Sequence, residues 1–262
     1  MTGPLFDRQA RALRRDRAAR RGPVLFLHQR AFEDCVERLG DVRRTFDAAL
    51  LIGCPDPAWR SLLEQIAPNV ETIDPGPLFA AAAKGRQGDE DLVDLPAAAY
   101  DLCLAIGTLD TVPDLPRALI AIRHTLRPDA LFLGALSGGE SVPMLRAAMR
   151  AADRDSPAAS PHVHPRIEAS ALAPLLSRAG FAMPVVDVDR VSVAYPDLDK
   201  LLDDLRRMAA TNILSARSRR PLGRAARDAA RTEFALQGDG NVTRETFEIL
   251  HFAAWVPSEQ QS

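Results

Sequence analysis

The stretch that decides the fold is FDAALLIGCPDPAWRSLLEQIAPNVETID, residues 46–74. Residues 46–53 form an apolar run that ends in glycine, which is typical of a strand buried on both faces. Residues 57–66 have the apolar spacing of a helix, and Pro57 is acceptable in its first turn. Residues 69–73 follow as a short second strand. A strand, a helix and a strand in this order predict two parallel neighbours joined by a right-handed crossover.

The same alternation continues along the chain. Further strands are predicted at 100–106, 130–136, 185–195 and 246–256, and further helices at 77–84, 115–126, 141–152 and 168–179. Residues 84–88 are poor strand material, so a strand there is expected to be lost or vestigial. Residues 197–235 are predicted to be mostly helical, with an interruption at 215–220. The pattern predicts an α/β fold with a parallel sheet, helices on both faces and an antiparallel end.

The composition is that of an ordinary globular chain of 262 residues with a net charge of −2, which does not favour nucleic acid as a partner. Lys84 and Lys200 are the only lysines, a bias typical of GC-rich bacterial genomes. Three scattered cysteines suggest neither a disulfide framework nor a zinc site, and they fit a reducing cytoplasm. No apolar run approaches the roughly 20 residues of a membrane span.

The charge is concentrated at the N-terminus. Residues 1–30 contain eight arginines but only Asp7 and Asp16 as acids. One interpretation is a basic helix whose charges are solvated. The other is a docking arm for an acidic protein partner or for peripheral contact with an anionic membrane.

In a parallel sheet of this kind, ligands bind beyond the carboxyl ends of the strands. The candidate segments are therefore 53–57, 74–76, 88–91, 105–111 and 137–141. The sequence contains no Ser-His-Asp order, no P-loop and no H-E-x-x-H motif.

Several motifs, taken in order, resemble a known family. They include LFDR at 5–8, DLPRAL at 114–119, LRPD at 126–129, GGES at 138–141 and RAGF at 178–181. The order is similar to class I S-adenosylmethionine (SAM) methyltransferases, and most similar to the complex I assembly factor 5 family of arginine hydroxylases. The resemblance implies a Rossmann-like, mostly parallel seven-stranded sheet with an antiparallel C-terminal strand. It implies a basic helical arm at 1–40 and a methyltransferase-like domain at 41–262, with a helical insertion at about 197–235.

The resemblance also implies a SAM site, which begins at the turn after the first strand. Family members have approximately D-x-G-C-G-x-G there, and this chain retains Gly53 and Cys54. Leu51 replaces the usual aspartate, and Pro55 and Pro57 replace two glycines. Proline fixes φ and removes an N–H donor, so these changes should weaken cofactor binding.

Acidic residues complete the implied nucleoside site. Asp74 stands where the family binds the ribose hydroxyls, although it could equally be an ordinary turn aspartate before Pro75. Asp89 and Glu90 stand where the family binds adenine, with a solvated acidic loop as the alternative. Ala105 and Ile106 end the fourth strand and are expected to line the same pocket.

On the acceptor side, Glu140 and Asp110 are the candidate catalytic residues; a strand-to-helix turn and a helix cap are the respective alternatives. His162 and His164 lie two residues apart, but no third ligand is evident, so no metal is expected and a surface loop is favoured.

Two functions remain open. The resemblance favours a cytoplasmic SAM-dependent methyltransferase or hydroxylase that modifies a protein, such as a subunit of respiratory complex I. The alternative is a non-catalytic assembly or binding protein that has lost SAM, which the altered loop at 53–57 favours. An O-methyltransferase acting on an acyl-carrier-protein ester shares most signals but matches less well at both ends.

Overall fold

The computed structural model describes residues 3–154 and 160–258. The sequence also predicts a Pro/Ser/His-rich loop at 156–165, and residues 156–159 of it lie outside the described residues. Seven strands form one sheet in the order β3-β2-β1-β4-β5-β7-β6. The strands are β1 (Ala48–Ile52), β2 (Asn69–Asp74), β3 (Arg86–Gln87), β4 (Tyr100–Ile106), β5 (Leu126–Ser137), β6 (Ala182–Tyr195) and β7 (Thr243–Trp255). The first five are parallel, and β7 is antiparallel to both β5 and β6. The predicted fold class is confirmed.

Helices cover both faces of this sheet. They are α1 (Arg8–Arg21), α2 (Phe26–Asp41), α3 (Pro57–Leu63), α4 (Pro77–Ala82), α5 (Leu115–Thr125), α6 (Pro143–Ala152), α7 (Ala169–Arg178), α8 (Leu198–Arg207) and α9 (Arg224–Leu236). On one face, α2 and α3 meet where Phe32 stacks on Trp59 with ring centroids 4.7 Å apart. On the other, α5 and α7 bury residues such as Leu119 and Leu172 against the sheet.

Two local predictions differ from the structure. The strand predicted at 130–136 begins at Leu126, because the chain turns directly out of α5 into pairing with Tyr100 and shifts register before Leu131. The insertion at 197–235 is less helical than predicted: α8 and α9 are separated by the irregular segment 208–223, wider than the expected interruption at 215–220. The vestigial strand is confirmed as the two-residue β3, which pairs with β2 at the sheet edge.

The N-terminal helices lie against this fold. Helix α1 packs on α4 and α8, and its own residue Ala18 is completely buried. Its fit over the turn after β2 is close, since a Cβ on Gly76 would lie 2.6 Å from Cβ of Arg15. Within the described residues, no helix combines the length and apolar composition that a membrane span requires.

Candidate functional site

The turn after β1 depends on Gly53. This residue has a φ of 77°, and a Cβ there would lie 2.4 Å from the carbonyl oxygen of Ile106 on β4. The amide of Gly53 donates to the carbonyl of Ile73 at 2.9 Å. Glycine is therefore required both by backbone conformation and by the close approach of the next strand.

The two prolines are accommodated by the helix that follows. Pro57 opens α3, and Asp56 caps it by accepting from the amide of Ala58 at 2.9 Å. Asp56 thus has a structural role. Pro55 is buried in the turn. Burial, reinforced by the charge of Asp74, raises the pKa of the Cys54 thiol to about 12, so Cys54 is an inert buried thiol and not a nucleophile.

Asp74, the predicted ribose ligand, is fully buried and has no acceptor position left. Its carboxylate accepts from Nε and Nη2 of Arg15 at 2.6 and 2.5 Å. It also accepts from the amides of Cys54 at 3.1 Å and Gly76 at 2.7 Å. A carboxylate offers about four lone-pair sites, and all four are used within the chain.

Glu90, one of the predicted adenine ligands, is also bound within the chain. Both of its oxygens accept from the guanidinium of Arg11, at 2.7 and 2.9 Å. Arg11 also donates to Asp89 at 2.6 Å, to the carbonyl of Thr108 at 2.7 Å and to the hydroxyl of Thr111 at 3.3 Å. All five guanidinium N–H groups are therefore used. Burial opposes ionisation of Glu90, but the charge and hydrogen bonds of Arg11 outweigh it and lower its pKa.

The acidic segment 89–91 is not a solvated loop. Asp91 is buried and binds both terminal nitrogens of Arg8, at 2.6 and 2.5 Å. Asp89 lies between Arg8 and Arg11, at 3.2 and 2.6 Å. The alternative interpretation of Asp89 and Glu90 as part of a solvated acidic loop is wrong for this reason.

These contacts come from one face of α1, on which Arg8, Arg11 and Arg15 recur at helical spacing. The guanidinium of Arg15 also lies 5.0 Å from the ring centroid of Phe79 on α4. We call the contacts of Arg11 and Arg15 with Asp74 and Glu90 the α1 seal. The interpretation of the whole N-terminal helix as solvated is wrong for these arginines. Their spacing does not separate them from Arg14, Arg17 and Arg21, which recur in the same way.

A cavity of about 90 Å³ remains beneath the seal. Ile106, Asp110 and His28 line it, and Asp110 accepts from Arg166 at 3.0 Å. Burial, with the charge of Arg15, lowers the pKa of His28 to about 4, so His28 is neutral. Ala105 is fully buried within β4 beside Ile106. The structure therefore places Asp110 and Ile106 at the candidate site and adds His28 and Arg166, which the sequence did not suggest.

Glu140 lies elsewhere. Its side chain is 64% exposed and pairs with Arg190 on β6 at 3.0 Å. It does not line the cavity that contains Asp110. The two candidate catalytic residues are therefore not brought together.

The two loop histidines differ from each other. His162 hydrogen-bonds to Asp153 at 3.0 Å. His164 is buried and accepts from the amide of Ile213 at 3.0 Å, so its assignment to a surface loop is wrong. Burial, with the charges of Arg166 and Arg146, lowers its pKa to about 3. Among the described residues, no group of three or more His, Cys, Asp or Glu side chains could hold a metal ion.

The sequence matches known proteins over most of its length. Residues 26–184 match the family model for a methyltransferase domain. The chain is 31% identical to "Arginine-hydroxylase NDUFAF5, mitochondrial" of Homo sapiens, over 98% of its own length and 79% of that protein. The chain belongs to the methyltransferase-domain family that includes NDUFAF5.

Solved structures agree on the fold of the methyltransferase-domain family. YcgJ of Bacillus subtilis superposes with a TM-score of 0.60 at 11% identity, over 86% of this chain and 99% of that one. The 1,6-didemethyltoxoflavin-N1-methyltransferase of Burkholderia thailandensis was solved with S-adenosylhomocysteine. It superposes with a TM-score of 0.53 at 18% identity, over 98% of this chain and 94% of that one. Methyltransferases of this fold bind SAM or its product.

The residues of this chain do not fit that cofactor in the observed arrangement. The acids that would hold the nucleoside are bound within the chain. Arg15, Cys54 and Gly76 fill the acceptor positions of Asp74, and both oxygens of Glu90 accept from Arg11. The remaining cavity of about 90 Å³ is far below the roughly 300–1,000 Å³ of typical ligand pockets.

Proposed function

We propose that this chain is a non-catalytic member of its family, an assembly or binding protein in which the α1 seal takes the place of the nucleoside. The observation that carries the proposal is the saturation of Asp74, whose four acceptor positions are filled by Arg15, Cys54 and Gly76. A ribose could reach this acid only by displacing Arg15.

The energy of that displacement supports the proposal. Removing one partner from a buried ion pair costs about 3–5 kcal/mol. Opening the seal breaks two such pairs, Arg15 with Asp74 and Arg11 with Glu90. A ligand with a micromolar Kd supplies about 8 kcal/mol. The cost of opening therefore offsets most or all of an ordinary cofactor affinity.

For the partner, we extend the family resemblance to a protein of respiratory complex I, in a cytoplasmic setting. The features that support a binding role are those that remain exposed beside the seal. Leu13 and Phe26 are large apolar side chains with 47% and 40% exposure, and α1 carries further arginines on its other faces. Such mixed basic and apolar surface suits an acidic protein or a membrane-associated assembly intermediate.

Calorimetric titration of SAM and S-adenosylhomocysteine tests the loss of the cofactor. The wild-type chain should show no binding of either compound at concentrations up to about 1 mM, which corresponds to a binding free energy weaker than roughly 4 kcal/mol. The variants Arg11→Ala/Arg15→Ala and Gly76→Ala, the second of which displaces α1 without removing a charge, should also fail to bind, because Pro55 still occupies the turn. Arg20→Ala/Arg43→Ala is the matched control, since both side chains are exposed. Micromolar binding by the wild type would contradict the proposal.

A second candidate is a SAM-dependent enzyme in which α1 is a movable lid. It is favoured by the retention of Gly53 at positive φ and of Asp74 and Glu90 beside it. On this reading the same titration gives measurable binding of SAM by the wild type, and tighter binding by Arg11→Ala/Arg15→Ala or by Gly76→Ala, in which the lid is displaced.

Complementation tests the assembly role separately. Deleting the gene from its host should lower the amount of assembled complex I, measured as NADH:quinone reductase activity in membranes. The wild-type gene should restore it, and a gene that encodes Arg43→Ala, an exposed residue outside α1, should restore it equally. Unchanged complex I after deletion would contradict the assembly role but would leave the titration result standing.

A further inference from the structure

A second face of α1 forms one wall of a large cleft that is separate from the seal. Arg14, Arg17 and Arg21 recur on this face at the same helical spacing as Arg8, Arg11 and Arg15. The cleft has a volume of about 750 Å³. That volume lies within the roughly 300–1,000 Å³ of pockets that hold small molecules.

The opposite wall is also built from arginines. Arg206 comes from the end of α8, and Arg217, Arg219 and Arg220 come from the irregular segment that separates α8 from α9. We call the space between these two walls the arginine cleft.

Few acids compensate this charge. Arg217 pairs with Asp7 at 2.9 Å, and Arg21 lies 3.8 Å from Asp203. For Arg14, Arg17, Arg206, Arg219 and Arg220, residues 3–154 and 160–258 provide no carboxylate within 4 Å. Asp153, the one acid in the described lining, already binds His162 and the amide of Ser160.

Arg14 is the arginine most affected by this concentration of charge. Partial burial, followed by the charges of Arg17, Arg217 and Arg206, lowers its pKa from the usual value for arginine. Like charges held this close repel one another, and an anion placed between them would relieve the repulsion at each wall.

We propose that the arginine cleft binds a small ligand that carries two or more phosphate groups. Planar guanidinium groups bind phosphate oxygens through paired, charge-assisted hydrogen bonds. Arg14 and Arg21 are seven residues apart, which is about 10 Å along a helix, so one monophosphate cannot reach the whole wall. A chain of linked phosphates can. This inference does not depend on the loss of the cofactor, because no arginine that lines the arginine cleft binds Asp74 or Glu90.

Calorimetry with inorganic triphosphate at 150 mM NaCl tests the site. Binding in the micromolar range is expected for the wild-type chain. Arg17→Ala/Arg219→Ala should weaken it by about tenfold or more, since each loses a charge-assisted contact. These two side chains are exposed and without a carboxylate partner in the described residues, so the variant should fold, as circular dichroism checks. Arg43→Ala/Arg178→Ala removes two exposed arginines outside the arginine cleft and should change the affinity less than about twofold.

Parallel titrations identify the source of the phosphates. Equal affinity for inorganic triphosphate and ATP shows that the site recognises the phosphate chain alone. Clearly tighter binding of ATP shows that it recognises a nucleotide. Four outcomes overturn the proposal: no binding of either compound at 1 mM, an affinity unchanged in Arg17→Ala/Arg219→Ala, equal binding of a hexaglutamate peptide, or binding to anionic lipid vesicles without binding of soluble triphosphate.

Discussion

The guanidinium of Arg15 holds both carboxylate oxygens of Asp74, 59 residues away in sequence, with donor–acceptor distances of 2.6 and 2.5 Å. Both side chains are buried, at 7% and 0% exposure. The family resemblance predicts a ribose at this place, the end of the second strand, and a side chain of the same chain occupies it.

The first prediction concerns this pair. Arg15→Met and Asp74→Asn should each lower the free energy of unfolding by about 3–5 kcal/mol, because each leaves a buried partner without its counter-charge. The double variant should lose less than the sum of the two. Urea unfolding measures all three.

Arg30→Met is the matched control for that cycle. Arg30 also binds a carboxylate with two nitrogens, but its side chain is 58% exposed and its partner Asp189 is 25% exposed. Its loss should cost about 1 kcal/mol or less. Additive effects of Arg15→Met and Asp74→Asn would show that the two side chains do not stabilise each other.

The second prediction separates charge from geometry at Arg11. Arg11→Lys keeps the positive charge but cannot supply five donors in one plane, so Glu90, Asp89 and Thr108 cannot all be satisfied. We expect a loss of about 2–4 kcal/mol in unfolding free energy. Arg8→Lys should cost about 1 kcal/mol or less, since Arg8 is partly exposed. Equal losses for the two variants would refute the special role of Arg11.

The third prediction tests the close fit of α1. Gly76 has an ordinary φ of −88°, so alanine suits the backbone, but its Cβ would lie 2.6 Å from Cβ of Arg15. Gly76→Ala should therefore push α1 outward, cost about 1–3 kcal/mol and speed amide hydrogen exchange in residues 8–21. Gly40→Ala, in a helix with open space around it, should stabilise by about 0.5–1 kcal/mol. Unchanged exchange in α1 would contradict the fit.

The fourth prediction concerns acid. The folded-state pKa of His164 is about 3, while an unfolded histidine titrates near 6.5, so between these values only the unfolded chain takes up the proton. Stability should fall as the pH drops below about 6.5, by up to about 1.4 kcal/mol per pH unit for this residue. His28 adds to the slope in the same window. Below about 4.5, protonation of Glu90 should deepen the loss, because its folded-state pKa is lowered.

His164→Gln tests this assignment. Glutamine can still accept from the amide of Ile213 but takes up no proton, so stability between pH 7 and pH 5 should fall by about 2 kcal/mol less than in the wild type. The control His124→Gln removes an exposed histidine and should leave the slope unchanged. A slope unaltered by His164→Gln would place the titrating group elsewhere.

The sheet could be predicted from sequence because its signals are local. An uninterrupted apolar run is enough to predict a strand buried on both faces. The runs at 46–53 and 100–106 are of this kind, and they contain β1 and β4. The position of Asp74 could be predicted for the same reason, since it ends a strand. The start of β5 at Leu126 could not be predicted, because pairing with Tyr100 overrides the helical pattern of the preceding residues.

The partners of the acids could not be predicted in this way. Eight arginines lie in residues 1–30, and nothing in their immediate sequence shows which of them is buried. Arg11 and Glu90 are 79 residues apart and meet only because α1 crosses the carboxyl edge of the sheet. The buried position of His164 escaped prediction for a similar reason, since Ile213, to which it bonds, comes from the distant insertion.

One helix supplies both the arginines that close the nucleoside site and a wall of the arginine cleft. Thermodynamic linkage then couples the two places. A molecule that binds only while α1 is docked weakens the binding of any molecule that requires α1 to leave, and the factor is the same in each direction. A polyanion in the arginine cleft would therefore stabilise the docked position of α1 and make the α1 seal harder to open.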